Sequence, residues 1–106
     1  MALVKVFSDM EEAVRRLTVN RPQLLIVDGI RICLVLRDGE LTAVQDKCTH
    51  NGESLSKGVV NYMGEIVCPW HGYRFDLRTG RESTERSHDL VTYPISNTAD
   101  GVFINL

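Results

Sequence analysis

Two short segments of the chain hold residue types that could do chemistry together: Cys48-Thr49-His50 and Cys68-Pro69-Trp70-His71. Each sets one thiol and one imidazole a few residues apart, in a turn-prone stretch beside an apolar run of strand character. Two such loops can clamp one metal centre. A thiolate is a strong donor to iron or zinc, and a neutral imidazole binds the same metals without adding negative charge. The candidate ligands are therefore Cys48, His50, Cys68 and His71. The third cysteine, Cys33, lies between Ile32 and Leu34 and reads as a buried core thiol. An odd number of cysteines argues against a disulfide framework and for metal or redox chemistry.

Three kinds of centre suit such a donor set. A tetrahedral Cys₂His₂ zinc site is chemically acceptable, but zinc fingers usually pair the cysteines in one segment and the histidines in the next, whereas here each segment mixes them. A mononuclear catalytic metal needs an open coordination position and a substrate pocket, and no acid or base stands out to serve it. A [2Fe–2S] cluster with two Cys on one iron and two His on the other wants mixed segments, because each loop can span the cluster and give one ligand to each iron.

The runs CTHNG at 48–52 and CPWHGYRFDLRTG at 68–80 resemble the two cluster-binding boxes of the Rieske family: C-x-H, a spacer (here residues 51–67), then C-x-x-H. The flanking strands match too, so the resemblance covers nearly the whole chain. It implies that Cys48 and Cys68 bind a buried iron, and that His50 and His71 bind the iron nearer the surface. Gly52 and Gly72 would let backbone amides approach the sulfides with no Cβ in the way, although an ordinary turn role is also open. Pro69 and Trp70 would shield the cluster and shape the docking surface, with core packing as the alternative for Trp70. Asp76 and Gly80 read as turn formers, and His88 as a surface loop residue without a partner at ligand spacing.

Departures from the family pattern are informative. High-potential members carry an extra cysteine in each box, bridged to one another; here those positions are Glu53 and Trp70. They also carry a serine and a tyrosine whose hydroxyls donate to sulfur; here those positions are Tyr73 and Phe75. Fewer hydrogen bonds to sulfur lower the potential, so about −150 mV is expected rather than about +300 mV. Tyr73→Ser or Phe75→Tyr should raise it. The stretch Thr84 to Asp89, where many soluble members place a proline-containing cover, has no proline, so a looser or displaced cover is expected.

The elements that must position these loops are mostly strands. LVKVF at 3–7 is a short apolar strand. Residues 8–17 suggest a short helix, with Ser8 as N-cap, Glu11 three residues on, and Met10, Val14 and Leu17 on one face. QLLIV, IRICLVL and LTAVQ follow, separated by Asp28-Gly29 and Asp38-Gly39, which predicts a three-stranded antiparallel meander. Residues 46–76 are loop-rich apart from EIVC at 65–68. LVTYPI at 90–95 and VFINL at 102–106 make the last strands, and the first and last strands can pair. The expected fold is all-β: one domain over residues 1–106, a small antiparallel β-barrel or sandwich with a loop-rich cluster-binding insert over roughly 46–77.

The bulk numbers fit a small folded carrier. The chain has 106 residues, 43% hydrophobic and 25% charged, with a net charge of −2. That is ordinary for one globular domain and gives no clustered basic surface for nucleic acid. No signal-peptide pattern is seen, and no run approaches the roughly 20 apolar residues of a membrane span. A soluble cytoplasmic protein is expected. The resemblance implies a one-electron ferredoxin, itself not an enzyme. It would pass electrons from a flavin reductase to a terminal oxygenase, as a monomer visiting each partner in turn. The competing readings are a Rieske subunit like the small subunit of nitrite reductase, and a zinc-stabilised interaction module.

Overall fold

The computed structural model describes residues 2–106. Its strands are β1 (Leu3–Phe7), β2 (Gln23–Val27), β3 (Ile30–Arg37), β4 (Glu40–Gln45), β5 (Val59–Val60), β6 (Glu65–Val67), β7 (Arg74–Asp76), β8 (Ile95–Thr98) and β9 (Gly101–Asn105), with one α-helix, α1 (Met10–Arg16). They form three antiparallel three-stranded sheets, β1-β9-β8, β2-β3-β4 and β5-β6-β7, and do not close into a barrel.

The central sheet is the predicted meander. Asp28 and Gly29 have φ of 50° and 77°, Asp38 and Gly39 of 52° and 75°, the paired positive values that two-residue hairpin turns demand. The first and last strands pair as expected, with Leu3 opposite Asn105 and Phe7 opposite Val102.

β3 explains how the layers stack. Side chains alternate across a strand, and this strand is buried on both faces. Ile32, Leu34 and Leu36 join Phe7, Ala13, Leu41, Ala43, Val102 and Ile104 in one core. Cys33 and Val35 point the other way, into a second core with Val44, Cys48, Leu55, Ile66, Cys68, Phe75, Leu77 and Leu90. The continuous apolar run of β3 is what a strand sandwiched between two layers requires. The outer sheet and helix cover one face, and the segment carrying the two boxes covers the other.

The structure corrects three expectations. The helix cap is Asp9, not Ser8: its carboxylate accepts the Glu12 N–H at 2.8 Å, and Glu12 in turn accepts the Ser8 N–H at 2.8 Å. Both Ser8/Glu11 and Asp9/Glu12 fit the capping spacing. Packing decides between them, since the frame that begins at Met10 buries Ala13 and leaves Val14 53% exposed. The strand expected at 90–95 begins only at Ile95, because Leu90 to Pro94 runs beside β4 with a single bridge, Val44 to Thr92. Strands β5 and β7 lie within the segment read mainly as loops.

Gly80 does more than make a turn. Its φ is +78°, and a Cβ there would stand 2.3 Å from the carbonyl oxygen of Leu90. The Leu90 N–H donates to the Gly80 carbonyl at 2.7 Å, locking the two segments together. Gly80→Ala should therefore cost about 3 kcal/mol, combining left-handed strain with a backbone clash. Urea denaturation checks this; an unchanged midpoint would show that the segments separate freely.

Candidate metal centre

The two boxes fold into loops of the same plan. The Cys48 N–H donates to the Glu53 carbonyl at 2.8 Å, and the Cys68 N–H donates to the Tyr73 carbonyl at 2.8 Å. Each loop thus closes from a cysteine to the fifth residue after it. The residue before each closure is a glycine at positive φ, Gly52 at 77° and Gly72 at 69°. At both, a Cβ would meet no protein atom within 4 Å. Backbone conformation, with open space beside it, accounts for these glycines. His71 also has positive φ, 70°, a costly value for a non-glycine residue and of a kind that clusters at functional sites.

The four candidate ligands come together in graded depth. Cys48 and Cys68 are 2% and 1% exposed, within the second core. His50 is half-buried and His71 exposed, their rings 5.4 Å apart. Burial first, and the facing Cys48 with it, push the Cys68 thiol up to about 11. Two adjacent buried thiols are poor anions unless a cation joins them, so this pair suits a metal. The Nδ1 of His50 is buried and has no hydrogen-bond partner, although buried imidazole nitrogens normally find one. Among the described residues, no three Cys, His, Asp or Glu side chains converge closely enough to hold one ion. A single tetrahedral zinc would need four donors at one point. A two-iron cluster lets the thiols and imidazoles stand apart, and the residues fit that group.

A buried carboxylate anchors the first box. Asp46, 1% exposed, accepts from the Ser54 hydroxyl at 2.5 Å and the Ser56 N–H at 2.8 Å, and pairs with Arg31 at 3.4 Å. Burial alone would raise its pKa, but Ser54, Ser56 and Arg31 together hold it below the usual value. The network ties the loop around Cys48 to β3.

The expected loose cover is instead pinned. The Thr49 hydroxyl donates to the His88 carbonyl at 2.5 Å and lies 2.7 Å from the Ser87 hydroxyl. Buried Glu82 organises this segment. It accepts the Thr84 N–H at 2.6 Å, the Thr84 hydroxyl at 2.7 Å and the Arg86 N–H at 2.9 Å. Burial opposes its charge, yet the donors from Thr84, Arg86 and Ser83 bring its pKa down to about 2. These side-chain brackets do what a proline would do by restricting φ.

Other sequence expectations resolve plainly. Trp70 is 56% exposed, so core packing is not its role; its ring tilts against His71 at 5.5 Å. Cys33 is fully buried, and its thiol is pushed up to about 12 by burial, as an inert core residue's would be. His88 is an exposed loop residue that joins the site network through its carbonyl. Asp76 does make the turn, accepting the N–H groups of Arg78 and Thr79. Sequence reasoning missed Glu82, Arg86, Asp46 and the contact of Tyr73 with His50. A buried acid among Ser and Thr residues is a weak signal without coordinates.

Comparison with known proteins agrees with the geometry. The family model for the Rieske [2Fe–2S] domain matches residues 5–94. The chain is 36% identical over 76 residues to the 3-phenylpropionate/cinnamic acid dioxygenase ferredoxin subunit of Photorhabdus laumondii, covering 71% of this chain and 72% of that one. For the same subunit of Shigella boydii the match is 35% over 69 residues and spans 65% of the relative's length. The ferredoxin of carbazole 1,9a-dioxygenase from Nocardioides aromaticivorans IC177 superposes with a TM-score of 0.83 at 24% identity, covering 99% and 98% of the two chains. A Mycobacterium tuberculosis protein assigned as an NADH-dependent nitrite reductase small subunit gives 0.78 at 21%, covering 98% and 95%. The structural likenesses, at these identities, speak for the fold. On the matched family model, the paired loops and the donor set, the chain belongs to the Rieske [2Fe–2S] domain family.

Proposed function

We propose that this protein is a one-electron carrier whose single [2Fe–2S] cluster is held by Cys48 and Cys68 on the buried side and by His50 and His71 on the exposed side. The observation that carries this reading is the paired loop plan, which buries both thiols, brings both imidazoles to the rim, and leaves the Nδ1 of His50 without a protein partner. Such a cluster supplies reversible one-electron reduction. The chain's own residues wrap the sulfur ligands in apolar side chains and present the imidazoles where a partner's cofactor can approach. Residues 46–77 are the cluster-binding part of one domain spanning the chain. A radius of gyration of 13.1 Å, close to the roughly 13 Å of a compact 100-residue domain, supports that.

The named relatives are ferredoxin subunits of aromatic-acid dioxygenases. That supports a role between a flavin-dependent reductase and a terminal oxygenase, as a transiently docking cytoplasmic monomer rather than an enzyme in its own right. No helix among the described residues is long and apolar enough to cross a membrane. A second reading, electron transfer within a stable complex, is compatible with the same fold, which a nitrite reductase small subunit shares. Purification without a partner supports the carrier, and obligate co-purification supports the subunit.

Potentiometric titration tests the reading. Phe75 is fully buried beside both cysteines and has no hydroxyl to give to sulfur. The potential should fall near the low end of the family range, about −150 mV. A strongly positive value would contradict the hydrogen-bond account, and the absence of any one-electron wave would contradict the function.

A further inference from the structure

The ring of Tyr73 stacks on the imidazole of His50, with centroids 3.8 Å apart and planes inclined by 9°. The guanidinium carbon of Arg86 lies over the same tyrosine ring, 5.2 Å from its centroid. Taken together, the two distances keep the Arg86 charge within about 9 Å of the His50 ring, comparable with one screening length in physiological salt. His50 and Arg86 also line one surface groove, with Thr49, Glu85, Ser87 and His88.

Arg86 is not there by chance flexibility. Its N–H is fixed by the buried Glu82 carboxylate at 2.9 Å, and its Nε donates to the Thr84 hydroxyl at 3.0 Å. The preceding residue, Glu85, is held at φ 61°, an unusual conformation for a glutamate, and is ion-paired with Arg81. The pairing takes up the charge of Glu85. No direct ion pair joins the Arg86 guanidinium to a carboxylate among the described residues; it reaches Glu82 only through the Thr84 hydroxyl, so its charge stays available to the rim of the site.

We propose that Arg86, seated on Tyr73, is a positioning and potential-tuning residue for the cluster held by His50. Reduction adds one electron and makes or breaks no bond in the protein, so it adds one negative charge to the site. A fixed cation nearby stabilises the reduced form and raises the potential. The tyrosine ring holds the guanidinium by cation–π attraction and keeps the imidazole oriented. The inference rests on the ligand assignment proposed above.

The test is a set of potentiometric titrations on the purified full-length protein: wild type, Arg86→Gln, Arg86→Lys, and Arg15→Gln on the helix as a charge-matched control. Cluster content is measured alongside by visible absorption and by EPR after reduction. Arg86→Gln should lower the reduced-to-oxidised ratio at fixed applied potential at least threefold, which at 59 mV per tenfold is about 28 mV. Arg86→Lys should keep most of the wild-type value, and Arg15→Gln should leave it unchanged. A shift in Arg86→Gln no larger than in Arg15→Gln would overturn the inference, because net charge alone would then account for it. So would equal shifts in the Gln and Lys variants, which would indicate a structural effect of losing arginine. A wild type that binds no cluster would instead defeat the ligand assignment.

Discussion

Replacing Cys68 with alanine should give a colourless protein without labile sulfide, whereas replacing Cys33 with alanine should leave iron content and spectrum unchanged. Both side chains are buried, at 1% and 0% exposure, and both belong to the same core. Bulk alone would therefore cost similar amounts, about 1 kcal/mol for each lost sulfur. The difference lies in direction. Cys33 projects from the middle of β3 against Val35 and Val44, while Cys68 opens the loop that closes on Tyr73 and faces Cys48. Loss of a ligand should also remove the stability that cluster binding lends the folded state, lowering the melting temperature well beyond that of Cys33→Ala. Iron and sulfide analysis with thermal denaturation checks both variants. Equal cluster content in the two would mean that Cys68 is not a ligand.

Removing the carboxylate of Glu82 should be among the most damaging changes outside the candidate ligands. Glu82→Ala leaves the N–H groups of Thr84 and Arg86 and the hydroxyls of Thr84 and Ser83 without their shared acceptor. The expected cost is about 3 kcal/mol, with the cover released from Thr49 and Tyr73. The pH dependence follows from the sign of the shift. Folding lowers the pKa of Glu82 from 4.5 to about 2, so the unfolded chain takes up its proton first. Its contribution is fully present above about 4.5 and is lost as pH falls toward about 2. Melting temperatures measured across that window should fall more steeply for wild type than for Glu82→Gln. Parallel curves would show that the carboxylate is not held by these donors in solution.

The fold was legible where local chemistry alone dictates structure. Two Asp-Gly turns set the meander, and the uninterrupted apolar run from Ile32 to Leu36 became the part of β3 buried on both faces. The candidate ligand set stood out because each segment sets a thiol and an imidazole at a fixed short spacing, donor types that suit a metal centre. What escaped notice depends on contacts distant in sequence. Glu82 reads as one more surface acid until the backbone of the following loop folds around it. Arg86 acquires meaning only once Tyr73 lies beneath it, and Tyr73 faces His50 only because its loop closes on Cys68. The helix cap failed for a smaller reason. Two overlapping patterns were equally good locally, and burial of Ala13 chose between them.

The most direct test of the central claim is low-temperature EPR of the dithionite-reduced protein, combined with iron and labile-sulfide analysis of the same sample. The account predicts two irons and two sulfides per chain, and a rhombic signal with the low average g-value of a histidine-ligated [2Fe–2S] centre. A colourless, EPR-silent sample holding one zinc per chain and no sulfide would contradict it.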